Sequence, residues 1–243
     1  MPITHEQQKE RWNKEHETPF ALKQMDAKKL SSGIVPFLEF LKNQGGKDFV
    51  GLEMGCGKGR NVIALASQDI VSKMYGFDFS EVAIKEAKKR AGEGDILEKV
   101  EFDVMDAMQT WRYPDNFFDF GIDCFVSTDI EDPKGRQFAI NEMHRVLKLG
   151  GYFLVYLMST DDEYHKLMAE KSPAEEKYAF YNFANGKFEK SFSEDELNEM
   201  YKSFTLVESR ELKKQQNFSG NHITVNIIGE YIKHKEKYDK RKK

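Results

Sequence analysis

The sequence predicts an α/β fold whose sheet is doubly wound, mostly parallel, and completed by a C-terminal antiparallel hairpin. Three observations predict this class. Short apolar runs alternate with amphipathic segments between residues 46 and 160, a glycine cluster follows the first of these runs, and two long strand-like segments lie near the end of the chain. Strands that alternate with helices favour parallel βαβ units, whereas consecutive strands favour an antiparallel pair.

Seven segments are typical of strands because their apolar residues form short runs bounded by turn residues. In chain order they are residues 48–54, 73–80, 100–106, 117–126, 151–158, 203–212 and 222–233. The first enters the glycine cluster directly, and the last two follow one another without a helix between them. The expected sheet is therefore Rossmann-like and seven-stranded.

Helices are predicted where apolar residues recur at helical spacing. They cover residues 32–46, 60–68, 81–94, 134–148 and 161–171, and another begins at Ser193. Gly45 and Gly46 are a stop signal for the first helix, and Ser80 is placed as the N-cap of the third. An aromatic-rich segment, residues 178–188, is expected to form a loop. Since no linker divides the chain, all 243 residues are assigned to one domain.

The charge of the chain is nearly balanced, with 37 basic and 41 acidic side chains. The last eleven residues carry a net +5, so the rest of the chain carries −9 of the total of −4. This distribution disfavours a polyanionic substrate bound by the body of the protein, and nucleic acid is not an expected partner. A short basic run at a terminus is usually a solvated extension.

Membrane and metal partners are not expected. The longest apolar stretch, residues 151–158, is far shorter than the roughly 20 residues that span a bilayer. Cys56 and Cys124 are 68 residues apart and form no CxxC pair, which argues against structural zinc. We therefore expect a cytoplasmic protein with reduced thiols and no metal.

The most informative motif is the segment from Gly51 to Asn61, GLEMGCGKGRN. A strand runs into glycines and then into a helix, so backbone amides at the helix start would face a bound ligand. A dinucleotide fingerprint needs a third glycine at position 60, where Arg60 stands instead. Glu53 would repel a pyrophosphate but attract the ammonium group of an amino-acid-bearing cofactor.

An acidic residue followed by GxGxG resembles the first motif of the class I S-adenosylmethionine-dependent methyltransferases, of the small-molecule type. The resemblance extends over about residues 35–160. It implies that the chain binds S-adenosylmethionine and releases S-adenosylhomocysteine. It also implies a set of cofactor-contacting residues: Glu53, Gly55, Cys56, Gly57, Gly59, Asp78, Phe79, Asp106, Ala107, Met108, Asp123, Cys124 and Phe125.

Each later motif has an expected role under this resemblance. Asp78, at the end of the second strand, would accept both ribose hydroxyls, and Phe79 would flank the adenine. The segment Asp106 to Met108 resembles the adenine clamp of the family. Asp123 to Phe125 would line the methionine end of the cofactor.

The sequence specifies the residues that would bind the methyl acceptor less well than those that would bind the cofactor. Where many small-molecule methyltransferases carry paired histidines, this chain has Thr128 and Asp129, so Asp129 is the first candidate base and Tyr156 and His165 are weaker ones. Trp12, Phe20, Thr128 and Tyr156 are the candidate acceptor-binding residues. A second aromatic wall is expected from Tyr178, Phe180, Tyr181 and Phe183.

The resemblance divides the chain into five parts. They are an N-terminal helical lid (1–45), a cofactor-binding core (46–160), a helical and aromatic cap (161–203), closing strands (204–233) and a basic tail (234–243). Alternatives remain open: an RNA or protein acceptor anchored by the tail, or a non-catalytic partner subunit with this fold. Arg60 argues against an NAD-dependent oxidoreductase. The sequence determines neither the acceptor atom nor the oligomeric state.

Overall fold

The computed structural model of the protein describes residues 4–18, 29–218 and 221–234, the last 9 residues of the second range and all of the third as backbone only. Five strands form the centre of the sheet: Phe49–Met54 (β1), Val71–Asp78 (β2), Val100–Val104 (β3), Phe118–Cys124 (β4) and Leu147–Met158 (β5). They are parallel and lie in the order β3-β2-β1-β4-β5. The α/β, Rossmann-like class is confirmed by this arrangement.

The aromatic-rich segment is not the expected loop but a hairpin of Ala179–Tyr181 (β6) and Phe188–Lys190 (β7). Phe180 and Phe188 are buried, so hydrophobic burial holds the segment in register. Phe204–Phe218 (β8) and Asn221–His234 (β9) pair with each other, and β9 also pairs with β5, antiparallel in both cases. The sheet order is thus β3-β2-β1-β4-β5-β9-β8.

Eight helices lie within the described ranges. They are His5–Glu17 (α1), Ile34–Asn43 (α2), Arg60–Ala66 (α3), Glu81–Glu93 (α4), Val126–Asp129 (α5), Pro133–Val146 (α6), Glu163–Lys171 (α7) and Glu194–Met200 (α8). Ser80 caps α4 as predicted, because its side chain accepts a hydrogen bond from the Ala83 amide. The short α5 was not predicted. None of the helices in the described part of the chain is long and apolar enough to cross a bilayer.

Helices cover both faces of the sheet and divide the core into two clusters. One cluster contains Phe37, Leu65 and Ile84, from α2, α3 and α4. The other contains Ile140 and Leu197, from α6 and α8. With both faces covered, the carboxyl ends of the parallel strands form the edge at which ligands bind in such sheets. Phe20 and the tail after position 234 lie outside the described residues.

Candidate functional site

A cavity of about 740 Å³ lies where the carboxyl ends of β1 to β4 meet. This volume falls within the range of about 300 to 1,000 Å³ that is usual for small-molecule sites. Residues that follow each of these strands form its floor, and α1 contributes Gln8, Trp12 and His16 to its wall. Segments predicted to act together are therefore adjacent in space.

The glycine cluster makes the turn from β1 into α3. Gly55, Gly57 and Gly59 all have positive φ angles, of 59°, 51° and 75°, which non-glycine residues rarely adopt. A Cβ atom on Gly55 would lie 2.2 Å from a methyl of Val126. Gly55 and Gly57 line the cavity. Gly59 was predicted to contact the cofactor but does not line the cavity. It is the N-cap residue of α3 and faces Phe102 instead.

Glu53 lies beneath this turn and lines the cavity, with only 2% of its surface exposed. Its Oε1 accepts a hydrogen bond of 2.7 Å from Asn61 Nδ2, while the buried Oε2 has no partner among the described residues. Burial raises the pKa of this carboxyl to about 8. Glu53 is therefore protonated at neutral pH in the absence of a cationic ligand, and the cationic group of such a ligand would favour its ionised form and satisfy Oε2.

Asp78 ends β2 and faces the same cavity. Its two carboxylate oxygens accept 2.9 Å hydrogen bonds from the amides of Gly57 and Ser80. Each oxygen keeps a lone pair for a further donor. Burial raises the pKa of Asp78 to about 6, so the group is ionised at neutral pH. Phe79 lies beside it in the wall.

Asp106, Ala107 and Met108 form the wall at the end of β3. The Asp106 carboxylate accepts a hydrogen bond of 2.9 Å from the Met108 amide. Its other oxygen lies 2.6 Å from Nε2 of His5. His5 was not predicted, because nothing local relates it to a residue 101 positions away. This pair joins α1 to the end of β3.

Cys124 and Phe125 line the cavity at the end of β4, but Asp123 does not. Asp123 is fully buried and accepts hydrogen bonds from the Val126 amide, at 2.8 Å, and from Ser127. Its role in the structure is to hold the start of α5, which corrects the prediction. Burial raises the pKa of the Cys124 thiol to about 12, so this thiol stays protonated.

Helix α1 buries polar side chains, among them Gln8 and His16. Burial lowers the pKa of His16 to about 4, with Lys58 and Lys187 adding to the effect, so the ring is neutral at pH 7. Its Nδ1 has no hydrogen-bond partner in the described part of the chain. Nζ of the buried Lys187 lies 3.3 Å from the centroid of the Trp12 ring. Apolar periodicity cannot reveal Gln8, His16 or Lys187, because these side chains are not apolar.

Of the predicted acceptor-side residues, Trp12 and Asp129 line the cavity and Thr128 and Tyr156 do not. The Tyr156 ring lies under Gly33, and its hydroxyl is 3.0 Å from that of Ser32. Burial raises the pKa of Asp129 well above its usual range, with Lys187 partly opposing.

The aromatic residues of the cap do not form the second wall that was expected. Phe180 is fully buried, whereas Phe183 is 65% exposed. Tyr181 donates a hydrogen bond to Glu131. His165, a weaker candidate base, is buried in the cap, where its Nδ1 lies 2.8 Å from the Ser191 hydroxyl. The positions of these side chains are therefore explained by contacts with neighbouring residues and not by a place in the cavity wall.

Several charged wall residues were not predicted. The basic ones are Lys58, Arg60 and Arg90, and the acidic ones are Glu131, Asp132 and Glu175. The basic group lies on the glycine turn, α3 and α4, and the acidic group lies on the segment after α5 and in the cap. The two signs of charge are thus carried by different segments of the wall.

Comparison with known proteins gives a consistent result. A family model described as a methyltransferase domain matches residues 52–155. The 27-O-demethylrifamycin SV methyltransferase of Amycolatopsis mediterranei (strain S699) is 32% identical over 100 residues, which are 41% of this chain and 35% of that enzyme. The match therefore spans about a third of the length of this curated relative.

Solved structures resemble the chain over a larger share of its length. A SAM-dependent methyltransferase from Methanosarcina mazei superposes with a TM-score of 0.69 at 25% identity, covering 81% of this chain and 98% of that one. The N-methyltransferase NodS of Bradyrhizobium japonicum WM9, solved in complex with S-adenosylhomocysteine, has a TM-score of 0.65 at 17% identity and covers 95% and 100%. The second of these likenesses extends the shared fold over nearly the whole chain.

Proposed function

Since the chain belongs to the class I S-adenosylmethionine-dependent methyltransferases, we propose that it transfers a methyl group from S-adenosylmethionine to a small-molecule acceptor. One observation carries the proposal. The turn of Gly55 and Gly57, the carboxylate of Asp78 and that of Asp106 all line a single cavity at the carboxyl ends of neighbouring strands.

The residues of the cavity fit this cofactor chemically. Its amino group, ribose hydroxyls and adenine amine are hydrogen-bond donors, so the protein must supply acceptors. Glu53 has an unpaired buried oxygen for the ammonium group. Asp78 has lone pairs for the ribose hydroxyls, and Asp106 is within the same wall for the adenine amine.

When bound, the cofactor supplies a methyl group that its sulfonium already activates. The acceptor atom forms a bond to the methyl carbon as the methyl–sulfur bond breaks, and sulfur keeps the electron pair. The chain must then hold the acceptor about 3 to 3.5 Å from the methyl carbon, an alignment worth up to roughly 7 to 11 kcal/mol. Helix α1 excludes water from the site, and Asp129 receives a proton where the acceptor must lose one.

Isothermal titration calorimetry with S-adenosylmethionine and S-adenosylhomocysteine tests the proposal. We expect binding of both, and a loss of about tenfold or more in affinity for Asp78→Ala, because charge-assisted hydrogen bonds to the ribose are removed. Asp69→Ala is the matched control, since Asp69 is exposed and outside the cavity wall. No binding at millimolar cofactor, or equal binding by both variants, would contradict the proposal.

A further inference from the structure

One part of the cavity wall, formed by the end of α5, the residues after it and the cap, is acidic. Asp129, Glu131, Asp132 and Glu175 line the cavity there, and no basic residue of these segments does. Two cations are nearby. Lys187, in the cap, lowers the pKa of Asp129, but its Nζ also lies over the Trp12 ring. Arg136, in α6, donates hydrogen bonds to the backbone oxygens of Ile130 and Glu131 and to the Glu176 carboxylate. Glu189, Asp123 and Asp78 raise the pKa of Asp129, so the charge around this carboxyl is mainly negative.

A second observation is independent of this charge. Gln8 is 6% exposed and lines the same cavity. Its Nε2 donates a 3.2 Å hydrogen bond to the backbone carbonyl of Asp129. This contact identifies which end of the amide is the nitrogen, because a carbonyl oxygen only accepts. The other end, Oε1, is buried and has no partner among the described residues.

Glu131 repeats this pattern. One of its carboxylate oxygens accepts a hydrogen bond from the Tyr181 hydroxyl, and the other is buried without a partner in the described ranges. Gln8 and Glu131 therefore each present a buried acceptor that lacks a donor, and an unpaired buried acceptor costs about 1 to 3 kcal/mol. Asp129, whose backbone oxygen is bonded to Gln8, lines the cavity beside them.

We infer that the methyl acceptor is a small amine whose N–H groups bind at Gln8, Asp129 and Glu131. The inference rests on the proposed function and specifies its substrate class. A protonated amine supplies several donors together with a positive charge, which offsets the buried carboxylates. An alcohol supplies one donor and no charge, and a carboxylate supplies neither, so both leave acceptors unpaired.

The same residues account for the proton that the reaction releases. An ammonium nitrogen has no lone pair, so it must lose a proton before it can attack. Asp129 accepts this proton, the nitrogen lone pair forms the bond to the methyl carbon, and the methyl–sulfur bond breaks with its electron pair left on sulfur. The products are the methylated amine in its protonated form, which takes over the positive charge of the sulfonium, S-adenosylhomocysteine, and protonated Asp129, which returns its proton to water. Burial makes Asp129 more basic than an exposed carboxylate, which favours this step.

Three probes of one shape test the charge preference: benzylamine, benzyl alcohol and benzoate. Each is titrated by calorimetry into the full chain saturated with S-adenosylhomocysteine, so the measurement does not depend on turnover. We expect benzylamine to bind at least about tenfold more tightly than benzyl alcohol, and benzoate to bind most weakly, because one charge-assisted hydrogen bond is worth about a tenfold to hundredfold change.

Two isosteric substitutions test which residues cause the preference for an amine. Asp129→Asn and Glu131→Gln should each weaken benzylamine binding about tenfold to a hundredfold and leave the affinity for S-adenosylhomocysteine unchanged. The controls are Asp95→Asn and Glu98→Gln, because both residues are exposed and outside the cavity wall. These controls should bind all probes as the unsubstituted chain does, and far-ultraviolet circular dichroism verifies the fold of every variant.

The results separate the amine inference from the proposed function. If the chain binds S-adenosylhomocysteine but benzylamine shows no binding at millimolar concentration, or binds no better than benzyl alcohol or benzoate, the amine inference is overturned and the proposed function stands. Equal effects of Asp129→Asn and Asp95→Asn also overturn it. If S-adenosylhomocysteine itself does not bind, the proposed function fails and the inference fails with it.

Discussion

Replacing Glu53 with glutamine should change how the stability of the protein depends on pH. Glu53 is almost fully buried, and the cost of removing its charge from water raises its pKa from 4.5 to about 8. Glutamine has nearly the same shape, can still accept the hydrogen bond from Asn61, and carries no charge. The substitution therefore removes the titratable group and keeps the shape of the side chain and its hydrogen bond to Asn61.

The size of the effect follows from the two pKa values. A rise from 4.5 to about 8 corresponds to about 5 kcal/mol of preference for the protonated carboxyl in the folded state. Because the folded pKa of this acid is the higher one, the folded chain holds the proton more tightly than the unfolded chain does. The contribution of Glu53 to the unfolding free energy is therefore most favourable below pH 4.5 and falls as the pH rises to about 8.

Urea unfolding followed by circular dichroism, at intervals from about pH 5 to about pH 9, measures the unfolding free energy at each pH directly. The difference in unfolding free energy between Glu53→Gln and the unsubstituted chain should grow with pH in favour of the variant, by several kcal/mol in total. Asp123, whose pKa is raised to about 6, titrates in both proteins and cancels in the difference. The charge of Asp78 raises the pKa of Glu53, so this coupling is part of the difference that is measured.

Glu98→Gln makes the same chemical change at an exposed position. Its difference from the unsubstituted chain should stay within about 0.5 kcal/mol at every pH. A Glu53→Gln difference that is constant across the range would refute the reasoning, because it would mean that burial does not raise the pKa of Glu53.

Two further substitutions test the geometry of the wall. Gly55→Ala should cost more than about 2 kcal/mol and abolish cofactor binding, because its φ is 59° and the new Cβ would lie 2.2 Å from Val126. Gly45→Ala, at φ 71° with no atom within 4 Å, should cost only about 1 to 2 kcal/mol; equal losses in thermal unfolding would contradict the contact argument. Asp123→Ala should cost about 3 kcal/mol, because amides at the start of α5 lose their acceptor. The affinity of this variant for S-adenosylmethionine should change by less than about threefold, equivalent to less than one hydrogen bond. A loss of affinity without a loss of stability would indicate that Asp123 contacts the cofactor.

The predicted residues that the structure brings to one cavity are those whose positions follow from local patterns. Glu53, Gly55, Gly57 and Asp78 lie at the ends of strands, and strand ends are readable from apolar runs and turn residues. Parallel strands bring those ends to one edge of the sheet without further information. The order of residues along the chain is therefore sufficient to assign the glycine turn and its carboxylates to one site.

Other residues of the same motifs were misplaced because their direction depends on the turn. Gly59 and Asp123 stand within one or two positions of cavity residues, yet Gly59 faces Phe102 and Asp123 holds α5. Tyr156 was misplaced for a similar reason: side chains of a strand alternate between its faces, and its ring lies under Gly33 rather than in the wall. Spacing locates the backbone of a motif but not every side chain on it.

The sequence by itself determined the α/β class, the helices on both faces of the sheet and the edge at which the cavity lies, because periodicity and glycine turns are local properties of the chain. Only the tertiary structure decided which distant segments meet at the cavity. Trp12 meets Lys187, His5 meets Asp106, and Gln8 meets Asp129 across long separations in sequence. These contacts depend on how α1 and the cap pack over the sheet edge. Each of them involves at least one polar side chain, His5, Asp106, Gln8 or Lys187, for which apolar periodicity gives no signal.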